Sequence, residues 1–253
     1  MLTLEDLSQG AFAAFGDAAA RVPEVVVKPA IPILFFGDIE SFRGSPVRVV
    51  TVGLNPSRAE FPPDRPLARF PAAAGLRELN STRDSDRYVA ALSNYFREDP
   101  YRAWFATYDG LLEGLDASFN DGCANTALHT DICSPVATNP TWSRLVQSAR
   151  AALMPPGLAL WHDLIRLLQP HVLLVSVARS YLATIEFAAD SEWAELHRIE
   201  RTNPYIVRHQ RLRLGDGTTT ALIFCQAAEK PFGLVGKADQ RQIGASVRRL
   251  LGV

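Results

Sequence analysis

Lysine is almost missing. Only Lys28, Lys230 and Lys237 occur among 26 basic residues, so nearly all positive charge is arginine. Cysteine is scarce and odd in number: Cys123, Cys133 and Cys225, with no CxxC spacing. That argues against a disulfide framework and against a four-thiolate zinc or iron–sulfur site, and buried small hydrophobes are the default for all three. The five histidines (His129, His162, His171, His197, His209) form no HExxH or similar metal pattern. There is no GxSxG elbow, no GxGxxG and no P-loop. No apolar run approaches the roughly 20 residues of a membrane-spanning helix. The start, MLTLEDLSQGAF, is acidic and lacks a signal peptide's charged-then-apolar layout. These absences predict a cytoplasmic protein without metal or membrane.

What is present is ordinary for a globular protein. The chain has 253 residues, 47% hydrophobic and 21% charged, enough for one large α/β domain with a full core. The net charge of −1 announces no global positive field. The distribution says more: between His197 and Arg213 lie Arg198, Arg201, Arg208, Arg211 and Arg213 against one acid, Glu200. Such a stripe tracks phosphates or is a solvated face, and composition leaves both readings open.

Thr3-Leu4-Glu5-Asp6 reads as a helix start, followed by a helix through LEDLSQGAFAAFGDAAARV. Val47–Val52 reads as a buried strand. A long loop follows from Asn55 to about Arg77, rich in proline and arginine, and loops of that length tend to be functional. Helices are expected over Arg87–Phe96 and Tyr101–Leu115, the second capped by Asp99 with Pro100 in its first turn. Thr126–Ile132 is the second strand. Helices over Thr141–Leu153 and Leu158–Gln169 should be split by Pro155-Pro156-Gly157. Val172–Val177 is a third buried strand, with a short helix from Ser180. Ile206–Leu214 and Thr218–Cys225 form a hairpin around Gly215-Asp216-Gly217. Ile243, Val247, Leu250 and Leu251 place one apolar stripe on a closing helix. Strands alternating with helices predict an α/β fold with a mostly parallel sheet. No linker or repeat interrupts the chain, so one domain over 1–253 is expected, with an N-terminal helical extension over about 1–30.

The stretch VRVVTVGLNPS at 47–57 is the most informative. Gly53 permits a sharp turn or a close approach to a ligand. Pro56 keeps Asn55 out of the α region, so Asn55 is held extended at the carboxyl end of a strand. In open α/β sheets ligands sit at that edge. A plain Asn-Pro-Ser turn is the other reading.

Four features then fall in one order. A buried strand ends in GLNPS. A long loop carries Phe61 and Phe70. A second strand ends in His129-Thr130-Asp131-Ile132-Cys133-Ser134-Pro135, and LWHDLIRLLQPHVLLVSVARSYL supplies a helix, a proline and a buried strand. This order resembles the uracil-DNA glycosylase superfamily over roughly residues 30–250, nearest to the mismatch-specific uracil/thymine-DNA glycosylases with their G-x-N-P first motif. The resemblance implies a three-layer α/β/α sandwich around a short, mostly parallel sheet. It also implies an enzyme that flips a nucleotide out of DNA and hydrolyses its base–sugar bond.

On that resemblance Asn55 is the catalytic residue, positioning the attacking water beside Gly53 and Leu54. Phe61, or else Phe70, is the stacking platform for the base. Ser57 contacts DNA. The family's second motif lies after the last core strand, where Gln226 stands near the place of its histidine. Lys230 and Phe232 around Pro231 then supply a phosphate contact and an apolar wedge. Arg208, Arg211 and Arg213 contact the backbone, with Arg211 and Arg213 on one face of a strand. The four-cysteine cluster of some branches is missing, so no cofactor is implied.

At the position where uracil-specific relatives read the base with asparagine stands Asp131, with Asn125 as the competing candidate. A carboxylate sets acceptor against acceptor at uracil's 4-oxo group, but accepts from cytosine's 4-amino group. Excision of ordinary cytosine would destroy the host genome. The expected substrate is therefore a 5-substituted cytosine, as in bacteriophage DNA, and the role is defence. Uracil or mismatch repair, and non-catalytic nucleic-acid binding by the same fold, are the alternatives.

Overall fold

Val49–Gly53 (β1) is buried at every position, as a valine-rich run without polar alternation requires of a strand covered on both faces. It pairs in parallel with Val172–Val175 (β4), Val50 opposite Leu173. Thr218–Phe224 (β8) pairs in parallel with β4, Leu173 opposite Leu222. Ala117–Ser118 (β2) lies parallel to Asn125–Asp131 (β3). Beyond β8 the sheet turns antiparallel through Tyr205–Gly215 (β7), which also pairs Ala188–Ala189 (β5) and Ala194–Ile199 (β6). The strand order is β2-β3-β1-β4-β8-β7-β5, with β6 paired to β7 off that path. The fold is thus α/β with a mostly parallel, mixed sheet flanked by helices.

This computed structural model describes residues 2–215, 217–227 and 230–253. They divide into two compact units, each built from three separate stretches. Unit 1 comprises Met1–Asp38, Leu54–Tyr101 and His129–Leu167; unit 2 comprises Ile39–Gly53, Arg102–Leu128 and Leu168–Val253. The chain passes into unit 1 just after β1 ends, and again within β3 at His129.

In unit 1, Leu4–Arg21 (α1) opens with a capping box. The Thr3 hydroxyl accepts from the Asp6 N–H at 3.1 Å, and the Asp6 carboxylate accepts from the Thr3 N–H at 2.8 Å. Leu7 and Ala11 bury one stripe of it, and Phe12 meets Tyr88 edge to face. Thr82–Ser93 (α3) starts five residues earlier than Arg87, because Ser81 caps it by accepting from the Asp84 N–H. Gln147–Leu168 (α6) is one helix, not two. Pro155 and Pro156 lie within it without ending it. The carbonyls they leave without helical donors belong to exposed Ala151 and half-buried Ala152, on the solvent side. Gly157 on the other side is essential. A Cβ there would stand 2.1 Å from the Cys133 carbonyl oxygen.

In unit 2, Ile39–Gly44 (α2) is a short turn of helix. The helix expected over Tyr101–Leu115 is instead two pieces, Arg102–Phe105 (α4) and Asp109–Gly114 (α5). The Trp104 carbonyl accepts from both the N–H and the hydroxyl of Thr107, closing the first piece. Lys237–Leu251 (α7) buries Ile243 and Val247, as the stripe predicts. It crosses α5 at a pair of glycines. A Cβ on Gly114 would meet the Arg241 carbonyl at 2.2 Å, and one on Gly244 the Leu111 carbonyl at 2.3 Å. The β7–β8 hairpin forms as expected, while Asp216 of its turn lies outside the described residues. β5 and β6 escape sequence reading because their side chains are mostly exposed and carry no apolar alternation.

Candidate active site

Segment Leu54–Arg58 runs beside segment Cys133–Thr138 within unit 1. The Cys133 N–H donates to the Leu54 carbonyl at 2.8 Å, the Thr138 N–H to Pro56 at 3.2 Å, and the Arg58 N–H to Thr138 at 3.2 Å. Pro56, which has no N–H to offer, therefore sits in an extended, paired segment through its carbonyl alone. Asn55 lies between the first two of these bonds. Its Nδ2 donates to the Val136 carbonyl at 3.2 Å and to the Thr138 hydroxyl at 2.9 Å. The Thr138 hydroxyl in turn donates to the Pro140 carbonyl at 2.9 Å, so its lone pairs face Asn55. Two acceptors fix which end of the amide is nitrogen. Oδ1 is the end left to accept from a water, which is the chemistry a water-positioning residue needs.

Two residues before Cys133, at the end of β3, stands Asp131. Its side chain is 5% exposed, and its Oδ1 lies 3.6 Å from His129 Nε2, beyond hydrogen-bond range. No described residue donates a hydrogen bond to it. Between them, the Thr130 hydroxyl accepts from the Trp161 indole N–H at 3.0 Å, which fixes the strand end.

A second buried carboxylate belongs to the same unit. Glu60 is 4% exposed; its Oε2 accepts from the Tyr95 hydroxyl at 2.5 Å and lies 3.3 Å from Arg69 Nη1. Desolvation pushes Glu60 up to about 7, outweighing the Tyr95 hydrogen bond and the Arg69 charge that pull it down, and the charge of Asp131 pushes it further up. Arg69 also lies over the Tyr101 ring at 5.5 Å. Burial, then Asp131, raises the Cys133 thiol, which makes it inert as a nucleophile.

Phe61 and Phe70 are both buried, and they stack on each other at 5.4 Å, with Phe70 stacked again on Tyr95 at 5.4 Å. One face of Phe61 is thus occupied, and Phe70 is an internal member of an aromatic row. The Ser57 hydroxyl accepts from the Ala59 N–H at 3.2 Å and caps a 3-10 turn. Leu54 is half-buried, and Gly53 closes β1 in ordinary strand conformation.

The remaining expected residues belong to unit 2. Asn125 begins β3, at the opposite end from Asp131. Its Oδ1 accepts from the Val47 N–H at 2.8 Å, and its Nδ2 donates to the Leu115 and Asp116 carbonyls at 3.3 and 3.1 Å. Its amide holds the fold and has nothing left to read a base. Gln226 is exposed past β8, its carbonyl accepting from the Tyr205 hydroxyl at 2.8 Å. Lys230 is exposed, and Ala228 and Glu229 lie outside the described residues. Phe232 corrects the expectation of a projecting wedge. It is 1% exposed, meets Tyr108 edge to face at 5.7 Å, and donates its N–H to the Ser176 hydroxyl at 3.1 Å. The φ of 53° turns its backbone so that the apolar ring goes inward. Leu234, 45% exposed, is the apolar side chain that this turn presents.

The arginine stripe is divided. Arg211 and Arg213 share a face of β7, alternating with buried Leu212 and Leu214, as expected. Arg208 points to the other face, in register with Glu195 of β6. Arg213 pairs with Asp190, and Arg198 with Glu195. Arg211 makes no ion pair among the described residues.

Sequence reasoning missed Glu60, Tyr95, Arg69 and Thr138. Glu60 offered one signal, a lone acid between apolar Ala59 and Phe61 in the loop after Asn55. The others offered none. Among the described residues no cluster of three His, Cys, Asp or Glu is placed to hold a metal ion, and no helix is long and apolar enough to cross a membrane. Compared with known proteins, the chain matches no family model, no curated protein and no solved structure.

Proposed function

We propose that this protein is a DNA glycosylase of the uracil-DNA-glycosylase type that removes a 5-substituted cytosine from foreign DNA. One observation carries the reading. The Leu54–Cys133 hydrogen bond is flanked on one side by Asn55, an amide with its nitrogen tied and its oxygen available, and on the other by Asp131, a nearly buried carboxylate that accepts no hydrogen bond from the described residues.

In this mechanism the target nucleotide leaves the duplex. Asn55 Oδ1 accepts a hydrogen bond from a water and aims its oxygen at C1′ of the deoxyribose. The C1′–N bond breaks with its electron pair going to the base, and the sugar becomes oxocarbenium-like. The water oxygen bonds to C1′, and its proton is released to solvent and finally taken by the departing base. A neutral amide suffices because the sugar cation is strongly electrophilic, but the chemistry is slower than with a carboxylate in that place. Asp131 accepts from the 4-amino group, which uracil lacks.

The test is abasic-site formation in duplexes carrying cytosine, uracil, 5-hydroxymethylcytosine or glucosylated 5-hydroxymethylcytosine. Strand cleavage after alkali is expected with the modified cytosines. Efficient cleavage of uracil with none of the modified cytosines would replace this substrate by the repair reading. Binding without cleavage of any duplex would leave only a nucleic-acid-binding role.

A further inference from the structure

Unit 2 contains a cleft of about 360 Å³ lined by neither Asn55 nor Asp131. Its polar wall follows from strand alternation. His209 and Arg211 lie two apart on β7 and so share a face. Register places Arg211 opposite Ala221 and Arg213 opposite Thr219, so both β8 residues lie on that face too. The methyl of Ala221 leaves the space open above it.

Three further features define the chemistry. His171 lines the cleft, and its Nδ1 accepts from the Arg48 N–H at 2.9 Å. The neutral ring must then carry its hydrogen on Nε2, which makes it a donor. The Ser191 hydroxyl accepts from the Arg211 N–H at 2.9 Å and steadies that strand edge. Asp190 is the acid of the lining, and Arg213 already engages it. What converges is one guanidinium without an ion pair among the described residues, two imidazoles and the Thr219 hydroxyl. Leu250 and Leu251 form the opposite, apolar wall.

We infer that this cleft binds the phosphate of a nucleotide, with Arg211, His209, His171 and Thr219 on the anion and Leu250 and Leu251 against the nucleoside. Burial first, and then Arg211 for His209 and Arg48 for His171, hold both imidazoles below their usual range. A dianion reverses that balance for His209 and protonates it, while His171, whose Nδ1 is held by the Arg48 N–H, stays neutral and donates from Nε2, so two of the donors are charged. The phosphate comes either from a free mononucleotide or from a DNA backbone. The cleft stands independently of the excision reading.

The experiment follows the imidazole signals of His171 and His209 by NMR in the full chain. The probes are inorganic phosphate, deoxycytidine 5′-monophosphate and a short unmodified duplex. Phosphate should shift both histidines saturably and raise the titration midpoint of His209. The mononucleotide should bind more tightly than phosphate if the ligand is free, and the duplex more tightly than the mononucleotide if it is a backbone. Arg211→Ala should weaken phosphate binding at least about tenfold, the loss of one charged donor. Arg166→Ala, which removes an arginine of α6, should not. If Arg211→Ala fails to fold, Thr219→Val reports on the same anion by a smaller loss. The inference is overturned by the absence of a saturable shift with all three probes, or by equal weakening in Arg211→Ala and Arg166→Ala.

Discussion

Asn55 Nδ2 donates to the Thr138 hydroxyl at 2.9 Å, and that hydroxyl donates onward to the Pro140 carbonyl at the same distance. The chain of donors sets which way the Asn55 amide points. Asn55→Ala is expected to slow excision by at least about two orders of magnitude while DNA binding survives. Thr138→Val keeps the shape but removes the acceptor, so the amide turns more freely, and single-turnover excision should fall about tenfold. Full activity in both variants would remove Asn55 from the reaction.

On the proposed reading, Asp131→Asn changes what the end of β3 offers a base. An asparagine presents a donor to a 4-oxo group, which the carboxylate does not. Activity on modified cytosine should drop and activity on uracil should appear or rise. The comparison is of excision rates on the two substrates in wild type and variant. An unchanged ratio sinks the assignment of Asp131 as base reader.

Glu60 gives the protein a pH signature. Its folded value of about 7 lies above the ordinary 4.5, so the folded chain holds the proton more tightly than the unfolded one. Below 4.5 both states are protonated and folding is unopposed by this group. As pH rises to about 7 the unfolded state ionises first, and stability falls by about 3 kcal/mol before levelling off. Glu60→Gln should abolish that fall. Urea melts on either side of the window measure it, and equal slopes in wild type and variant would show that Glu60 is ionised throughout.

Two glycines test the packing in opposite directions. Gly244→Ala drives a methyl into the Leu111 carbonyl at the crossing of α5 and α7, and should destabilise by about 1–3 kcal/mol or more. Gly16→Ala in α1 meets nothing within 4 Å and should stabilise by about 0.5–1 kcal/mol. Thermal unfolding of the two variants should move to opposite sides of wild type.

Buried strands were legible in the sequence because they are apolar on both faces. Val49–Gly53 and Val172–Val175 lie within a residue or two of where their valine and leucine runs place them. The capping box at Thr3 was legible because a cap is a local event. Tertiary contacts overrode local signals elsewhere. Pro155 and Pro156 read as a break, yet α6 continues because Gly157 lets it pass against the Cys133 backbone.

The candidate site divides the same way. Asn55 stood out through its neighbours Gly53 and Pro56, which act within a few bonds. Thr138, 83 residues away, and Tyr95, 35 residues from Glu60, are joined to the site only by folding. Phe232 misled because a phenylalanine beside Pro231 and Gly233 looks like an exposed loop residue, and only the backbone turn reveals that the ring goes inward.

The two compact units are each assembled from three stretches, so the chain crosses between them five times. Each crossing is a point of mutual dependence during synthesis. Unit 1 has all three of its stretches once the chain reaches Leu167, but unit 2 draws its last from the C-terminal third, so no prefix short of that stretch contains both units. A ribosome must therefore release nearly the whole polypeptide before both can close. Truncations and single-cut fragments will be poor reagents for assigning Asn55 and Arg211 to separate activities. Point variants in the intact chain are the proper dissecting tools, and a graft of either unit onto another scaffold would have to carry all three of its stretches at once.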